Sequence, residues 1–264
     1  MVSVGVNYNQ TKAFAYLAKV SDEKVLQVKE IKKVIKKLKH SNTYLDVGAG
    51  AGDIFFGLAK HFKQATGLEP GDRMFEILEK KVKKDRLRNT NLVHDQWQNF
   101  YRKAKKNNQK YDLITNIQTI YFFKDRRKAI KDMLSLLNKD GRLVLIHNYG
   151  KDAKDHFIAK FRHEFLNKPM PSDRTSAMVK RNFKKRESYI MDSKFYLQDF
   201  KDLEKDHLSK KSMATNYYLK FALKKWYDEF TKDQKARMIN YLEKRRKGNK
   251  YILSERYWVH ILRK

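Results

Sequence analysis

The sequence of 264 residues contains no cysteine, so disulfide bonds and thiolate metal sites are excluded. None of its eight histidines shows the H-E-x-x-H spacing of a metal-binding helix, and we expect no metal site. No stretch rich in proline, or in glycine and serine, divides the chain, which favours one large domain or one domain with a lobe. The apolar runs, such as 143–146, are strand-sized and far shorter than a membrane span, and residues 1–20 carry no cleavage-site pattern. We therefore expect a soluble, cytoplasmic protein.

Acidic charge is scarce relative to basic charge. The chain has sixty lysines and arginines but thirty aspartates and glutamates, which gives a net charge of +30. Such an excess suggests a nucleic acid, an anionic lipid or an acidic partner. However, the excess is divided evenly between residues 1–150 and 151–264, and most basic runs lie at helical spacing beside apolar residues. A lysine-rich solvated surface is therefore the competing explanation, and the sequence leaves both open.

The segment 44–54 carries the clearest chemical signal. A β-leaning apolar run ends at three glycines on alternate positions, Gly48, Gly50 and Gly52, and a helical pattern follows directly. The next short strand ends in an acid, Glu69, followed by Pro70. A tight glycine turn lets the backbone approach a ligand closely, and an acid at the next strand end can accept both hydroxyls of a ribose. The pattern predicts a site for an adenosine-containing cofactor.

The glycine spacing favours one cofactor class. The chain has neither the G-x-G-x-x-G fingerprint of dinucleotide sites nor a phosphate-binding G-x-x-x-x-G-K-[ST] loop. Its D-x-G-x-G-x-G pattern, which begins at Asp46, resembles the S-adenosylmethionine (SAM) site of class I methyltransferases. Asp95, after the third strand, is either an acceptor for the adenine amino group or a solvated loop acid. The predicted cofactor-binding residues are Asp46, Gly48, Ala49, Gly50, Glu69, Pro70, Asp95 and Ile117.

The alternation of strands and helices predicts the fold. We expect an α/β protein with a doubly wound, mostly parallel seven-stranded sheet of the Rossmann-like class I methyltransferase type and a helical insertion lobe. Residues 1–40 are predicted to form an N-terminal helical cap and 41–264 the methyltransferase domain, with the insertion at about 197–249. The predicted strands cover 43–47, 65–69, 91–94, 111–117, 142–147, 188–196 and 251–262. The predicted helices cover 21–39, 72–84, 97–106, 125–137, 152–166, 173–183, 214–229 and 232–247, with a further helix from Asp53.

The end of the fourth strand, residues 116–123, faces the methyl donor in such a fold. Enzymes that methylate exocyclic base amines often carry an Asn-Pro-Pro-Tyr type motif there, and this chain has Asn116 without the prolines. The aromatic residues Tyr121, Phe122 and Phe123 either pack in the core or line a pocket, where their faces would attract a cation. The absence of cysteine also removes the usual nucleophile for methylation at C5 of a pyrimidine.

Three segments, 50–54, 68–70 and 116–123, are similar to the matching segments of the histamine N-methyltransferase-like family. The resemblance implies a small amine as substrate, with Gln118, Tyr121 and Phe122 in contact with it. It also implies an acid before the first core helix, where Asp22 and Glu23 lie; both acids equally suit the dipole of that helix. The asparagine that the family uses in its last strand is missing around residues 254–255.

We therefore predict a SAM-dependent methyltransferase that acts on a nitrogen of a small amine-type molecule. An RNA methyltransferase, for which the charge alone argues, is the alternative. The sequence assigns no catalytic residue. His147 and Tyr149, after the fifth strand, are the nearest candidates for a general base, and both equally suit a packing role.

Overall fold

The computed structural model of the protein describes residues 16–149, 157–167, 174–198, 200–206, 209 and 212–264. The strands are β1 (Thr43–Val47), β2 (Gln64–Leu68), β3 (Thr90–Val93), β4 (Tyr111–Ile117), β5 (Leu137–Asn148), β6 (Arg186–Gln198), β7 (Arg246–Lys247) and β8 (Lys250–Leu262). They form one eight-stranded sheet with the order β3-β2-β1-β4-β5-β8-β6, and β7 pairs with β8. The first five strands are parallel, whereas β8 is antiparallel to both β5 and β6. The predicted fold class is confirmed.

Helices cover both faces of this sheet, as right-handed crossovers require. They are α1 (Glu23–Ile35), α2 (Asp53–Ala59), α3 (Asp72–Asp85), α4 (Trp97–Lys106), α5 (Arg126–Ser135), α6 (Phe157–Leu166), α7 (Thr175–Asn182), α8 (Phe200–Lys205), α9 (Met213–Leu223) and α10 (Lys232–Glu243). Two further turns of 3₁₀ helix cover Ile120–Phe122 and Tyr227–Glu229.

The central strands are apolar on both sides because each face of the sheet carries a separate core. Along β5, Val144 and Ile146 belong to the core beneath α1 and α2, whereas Leu143 and Leu145 belong to the core beneath α4 and α5. This alternation follows from the two-residue period of a strand. Because β1 to β5 run parallel, their carboxyl ends meet at one edge of the sheet. Ligands bind at this edge in open α/β sheets.

A third core lies beyond the end of β5. The β6–β8 ladder pairs thirteen residues of each strand, from Arg186 with Leu262 to Gln198 with Lys250, whereas β5 pairs with β8 only as far as Asn148 with Tyr257. The projecting part of the ladder packs against α6, α9 and α10. This core contains the apolar residues Phe161, Phe195, Leu197, Tyr218, Leu219, Met238, Leu242, Tyr251 and Leu253.

Several predicted element boundaries are wrong. The helix predicted over 214–229 ends at Leu223, where Lys224 takes the left-handed φ of 61°, and a 3₁₀ turn follows. The helix predicted to end at 247 ends at Glu243, because Arg246–Lys247 pair with β8 through a two-residue turn that holds Gly248. β5 begins at Leu137, where a helix was predicted, and helix α8 was not predicted. Residues 1–15 of the predicted cap and 152–156 of a predicted helix lie outside the described residues.

Two negative findings hold for the described part of the chain. No helix there is both long and apolar enough to cross a membrane. Within the same residues, no group of three or more His, Cys, Asp or Glu side chains is placed to hold a metal ion.

Candidate active site

The loop after β1 approaches the end of β2 through two glycines with left-handed backbone angles. The amides of Gly48 and Ala49 both donate to the carbonyl of Leu68, at 2.8 and 2.9 Å. A Cβ at Gly48, whose φ is 81°, would lie 2.6 Å from Cγ2 of Thr119, so packing alone forbids a side chain there. A Cβ at Gly50, whose φ is 56°, would meet no atom within 4 Å. The space beside Gly50 is therefore open, and it lies where the sequence predicts the cofactor.

Glu69 connects this loop to the end of β2. Its Oε2 accepts from the amide of Gly50 and its Oε1 from the amide of Gly71, both at 2.8 Å. Burial raises the pKa of Glu69 above its ordinary value, and the two amides and His94 only partly oppose that shift. Each carboxylate oxygen has two lone pairs, so one amide bond leaves capacity for a ligand hydroxyl. The following Pro70 is exposed.

Asp46 lies beneath the loop in a buried chain of hydroxyl groups. The hydroxyl of Thr115 donates to Asp46 Oδ1 at 2.7 Å, and the hydroxyl of Tyr44 lies 2.8 Å from Thr115 Oγ1. Burial raises the pKa of Asp46 from 3.8 to about 7; Glu69 adds to the shift, whereas Thr115 and Lys24 oppose it.

The raised pKa of Asp46 predicts a pH-dependent stability. Between its unfolded pKa and its folded pKa of about 7, the unfolded chain has released a proton that the folded chain still holds. The contribution of this group to the free energy of unfolding therefore falls as the pH rises through that window and is constant above it. Asp46→Asn should remove this fall, by on the order of a few kcal/mol, in urea titrations between pH 4.5 and 8. The exposed control Asp85→Asn should keep the wild-type slope, and an Asp46→Asn curve parallel to the wild type would contradict the assignment.

Asp95 organises the start of α4. Its carboxylate accepts from the amide of Gln96 at 2.8 Å, from Nδ2 of Asn99 at 2.9 Å and from Nζ of Lys103 at 3.0 Å. Burial raises the pKa of Asp95, but the three hydrogen bonds outweigh it, so the pKa lies below its ordinary value. The adenine contact of Asp95 stays a prediction. Ile117, also predicted to contact the cofactor, is 7% exposed at the end of β4 and belongs to the core beneath α1.

Gln118 directly follows β4 with a φ of 57°, a left-handed conformation that is uncommon outside glycine and often marks functional sites. Its Oε1 accepts from the hydroxyl of Tyr121 at 3.0 Å, and that hydroxyl also accepts from the amide of Asn148. Tyr121 thereby links the ends of β4 and β5. Phe122 is 64% exposed, so it packs into no core among the described residues.

The two acids before α1 have different surroundings. Asp22 holds the edge of β6, because it accepts from the amide of Lys194 at 2.7 Å and from the hydroxyl of Tyr196 at 3.3 Å. Glu23 accepts from Nε2 of Gln27 at 2.7 Å and lies near Tyr257. Burial, followed by the carboxylates of Glu23 and Glu255, raises the pKa of the Tyr257 hydroxyl well above its ordinary value. Glu23 thus faces β8 and Asp22 faces β6, and the substrate contacts of both acids stay predictions.

Two further polar residues near Tyr257 were not predicted from the sequence. Glu255 on β8 accepts from the hydroxyl of Tyr218 at 3.5 Å, and Ser193, opposite it on β6, is 1% exposed. The Ser193 hydroxyl lowers the pKa of Tyr257 but has no partner of good hydrogen-bond geometry among the described residues. The only sequence signal was a polar pair within two apolar strands.

The two candidates for a general base are both packed against other rings. His147 is fully buried; its Nδ1 lies 3.0 Å from the carbonyl of Asn148, and its ring stacks on His260 at 5.2 Å. Tyr149 stacks on Trp258 at 5.4 Å. Both rings therefore have packing partners, and a role of either as general base stays a prediction.

Comparisons with known proteins bear on this arrangement. A family model described as a methyltransferase domain matches residues 16–189. The chain is 24% identical over 116 residues to the "Uncharacterized methyltransferase YcgJ" of Bacillus subtilis, covering 43% of this chain and 44% of that protein. It is 26% identical over 132 residues to the ubiquinone biosynthesis O-methyltransferase of Yersinia enterocolitica, covering 48% and 50%. The chain thus spans about half the length of the curated relatives it matches.

The fold is also that of a solved methyltransferase. The plantazolicin methyltransferase BpumL, solved in complex with SAH, superposes with a TM-score of 0.54 at 11% identity, covering 98% of this chain and 91% of that chain. At this identity the likeness concerns the fold alone.

Proposed function

Since this chain belongs to the methyltransferase domain family, we propose that it transfers a methyl group from SAM to a nitrogen of a small amine. The cofactor part of the proposal is supported by the loop after β1, where Gly50 faces open space and donates its amide to the buried carboxylate of Glu69. Residues 46–50 would hold the cofactor together with Glu69, whose oxygens suit ribose hydroxyls. When bound, SAM supplies a methyl group that is activated by its sulfonium.

The observation that carries the choice of acceptor is the pair of carboxylates around Tyr257. The carboxylates of Glu23 and Glu255 both lie close enough to this buried hydroxyl to raise its pKa, and Glu23 also pairs with Nζ of Lys24 at 3.4 Å, so acidic side chains gather beside β8 in a protein of net charge +30. An ammonium or a positively charged ring would neutralise these acids, whereas a phosphate would be repelled by them. Acidic side chains beside the site favour a small amine over a nucleic acid, whose phosphates they would repel.

Gln118, Tyr121 and Phe122 would orient the amine from the other side. The left-handed backbone of Gln118 places its side chain beside the end of β4, and the Tyr121 hydroxyl holds the side-chain amide by donating to its Oε1. The ring of Phe122 is exposed and can lie against a cation. A neutral amine reacts through its own lone pair, so the chain needs no covalent nucleophile; its task is to orient the amine, exclude water and accept a proton from the ammonium form.

RNA methylation is the second candidate, and the lysine-rich surface supports it. Any surface of this charge should bind RNA at low salt, and such binding should weaken steeply as salt rises, without sequence preference. A specific RNA enzyme would instead modify one position of one transcript at physiological salt. One relative is named as an O-methyltransferase, so hydroxyl acceptors belong in the same test.

The destination of a labelled methyl group tests the proposal. The protein should be incubated at physiological salt with SAM labelled on its methyl group, in parallel with a panel of small amines, a panel of phenols and alcohols, and total RNA. We expect label in an amine and none in a defined nucleotide. Label confined to one nucleotide of one RNA would overturn the choice of a small amine.

A matched pair of variants locates the amine in the crevice. Glu23→Gln should raise the KM for the labelled amine by about tenfold, the effect of one lost charge contact, and leave the affinity for SAM unchanged. Glu79→Gln removes the same charge from an exposed position on α3, where Glu79 pairs with Lys83, and should change neither quantity. An unchanged KM in the Glu23→Gln variant would remove Glu23 from the substrate site.

A further inference from the structure

Four lysines surround a cavity at the amino-terminal end of the sheet. Lys110, Lys139, Lys185 and Lys264 line this open cavity of about 550 Å³ together with Asp140 and parts of the β5 backbone. The candidate active site lies at the opposite edge. The length of β4 separates the two edges, about 20 Å at the rise of a strand. The cavity is therefore not a part of the methyl-transfer crevice.

Backbone carbonyls fix two of these lysines in place. Nζ of Lys110 donates to the carbonyl of Ser135 at 2.6 Å, and Nζ of Lys264 donates to the carbonyl of Leu137. An ammonium has three donors, so one bond to a carbonyl leaves two for a ligand. Burial, and then the positive charge of Lys110, lower the pKa of the Lys264 amine. Like charges are thus held close together.

Acidic side chains do not compensate for this charge. Asp140, the one acidic side chain in the lining, has its Oδ2 3.2 Å from Nζ of Lys39, which lies outside the cavity. Within the described residues, none of the four lining lysines is within ion-pair distance of a carboxylate. Other lysines of the protein do have carboxylate partners; for example, Nζ of Lys128 lies 2.6 Å from Oδ2 of Asp132. The cavity therefore concentrates uncompensated positive charge on a small volume.

We propose that this cavity binds a compact polyphosphate anion, such as the diphosphate or triphosphate group of a small molecule. Four lysine side chains against one acidic side chain that is already engaged favour an anion of several charges over a single carboxylate or a monophosphate. Phosphate oxygens accept from several ammonium groups at once. The four lysines converge on one cavity, which favours a compact anion over an extended nucleic-acid strand. The proposal is independent of the acceptor in the active site.

Calorimetry with inorganic tripolyphosphate at physiological salt tests this site. The double variant K185Q/K264Q should bind tripolyphosphate at least about tenfold more weakly than the wild type, because two charges are lost from the lining. The double variant K80Q/K84Q removes the same charge from exposed positions on α3 and should bind like the wild type. D140N should bind a few-fold more tightly, because it removes the one negative charge of the lining. Circular dichroism verifies that each variant is folded.

Three results would overturn the proposal. The first is no binding of tripolyphosphate by the wild type at physiological salt. The second is an equal loss of affinity in the two double variants, which would show a response to net charge alone. The third is a K185Q/K264Q variant that loses affinity for single-stranded RNA but keeps its affinity for tripolyphosphate, which would assign the lysines to a nucleic-acid surface.

Discussion

Replacing Gly50 with valine is expected to abolish the binding of SAM and of its demethylated product, while the chain still folds. A Cβ at Gly50 would meet no protein atom within 4 Å, so a side chain has room to start there, and it would occupy the space left for the cofactor. Its φ of 56° adds a backbone strain of about 1–2 kcal/mol, because a side chain disfavours the left-handed region. Calorimetric titration with SAM should give no heat, and the circular dichroism spectrum should be native.

Gly248 provides a matched control for the backbone strain. It has a φ of 60°, a Cβ there would also meet nothing within 4 Å, and it lies in the turn between β7 and β8. Gly248→Val should therefore cost similar stability and retain full affinity for SAM. Gly48→Val should instead lower the melting temperature strongly, because Thr119 already fills that space. Equal SAM affinities of Gly50→Val and Gly248→Val would show that the open space beside Gly50 is not the cofactor site.

The sequence predicted those features of the fold that depend on neighbouring residues. The alternate glycines after an apolar strand and the acid at the end of the next strand need only a local pattern, and Glu69 lies beside Gly50 as that pattern implies. The parallel sheet likewise follows from the alternation of elements. Boundaries failed where tertiary pairing overrides local preference, as at Arg246–Lys247, whose residues continue a helical pattern but pair with β8.

The substrate wall depends on contacts that no local pattern records. Asp22 and Glu23 are neighbours in sequence, yet Asp22 binds the backbone of Lys194, 172 positions away, whereas Glu23 lies near Tyr257. The sequence alone does not show that Gly48 is required by packing whereas Gly50 borders open space. Only the contact of Thr119 with the position of a Gly48 side chain distinguishes the two glycines. The left-handed backbone of Gln118 also has no sequence signal; it begins directly after the last bond between β4 and β5, which the amide of Gln118 donates to the carbonyl of Ile146 at 2.8 Å.

Removing the Glu69 side chain is expected to weaken SAM binding by about 1–3 kcal/mol, the cost of leaving buried polar partners unpaired. In the cofactor-bound protein these partners would be the ribose hydroxyls, and in the free protein they are the amides of Gly50 and Gly71. Glu69→Ala should therefore lower the affinity on the order of ten- to a hundredfold in a calorimetric titration. The control Glu76→Gln removes a charge on the exposed part of α3, where Glu76 pairs with Arg73 at 2.7 Å, and should bind SAM normally.

Glu69→Gln separates ribose binding from the support of the loop. The glutamine side chain keeps one acceptor oxygen, but its NH₂ group cannot accept a hydrogen bond. One of the two bonds from the backbone amides of Gly50 and Gly71 must therefore be lost. If Glu69 only supports the loop, adenosine and 2′,3′-dideoxyadenosine should lose affinity equally in the variant. If it also binds the ribose, the variant should weaken adenosine more than the dideoxy analogue, which has no hydroxyls to pair with the carboxylate. Wild-type affinity of both Glu69 variants for SAM would show that the ribose lies elsewhere.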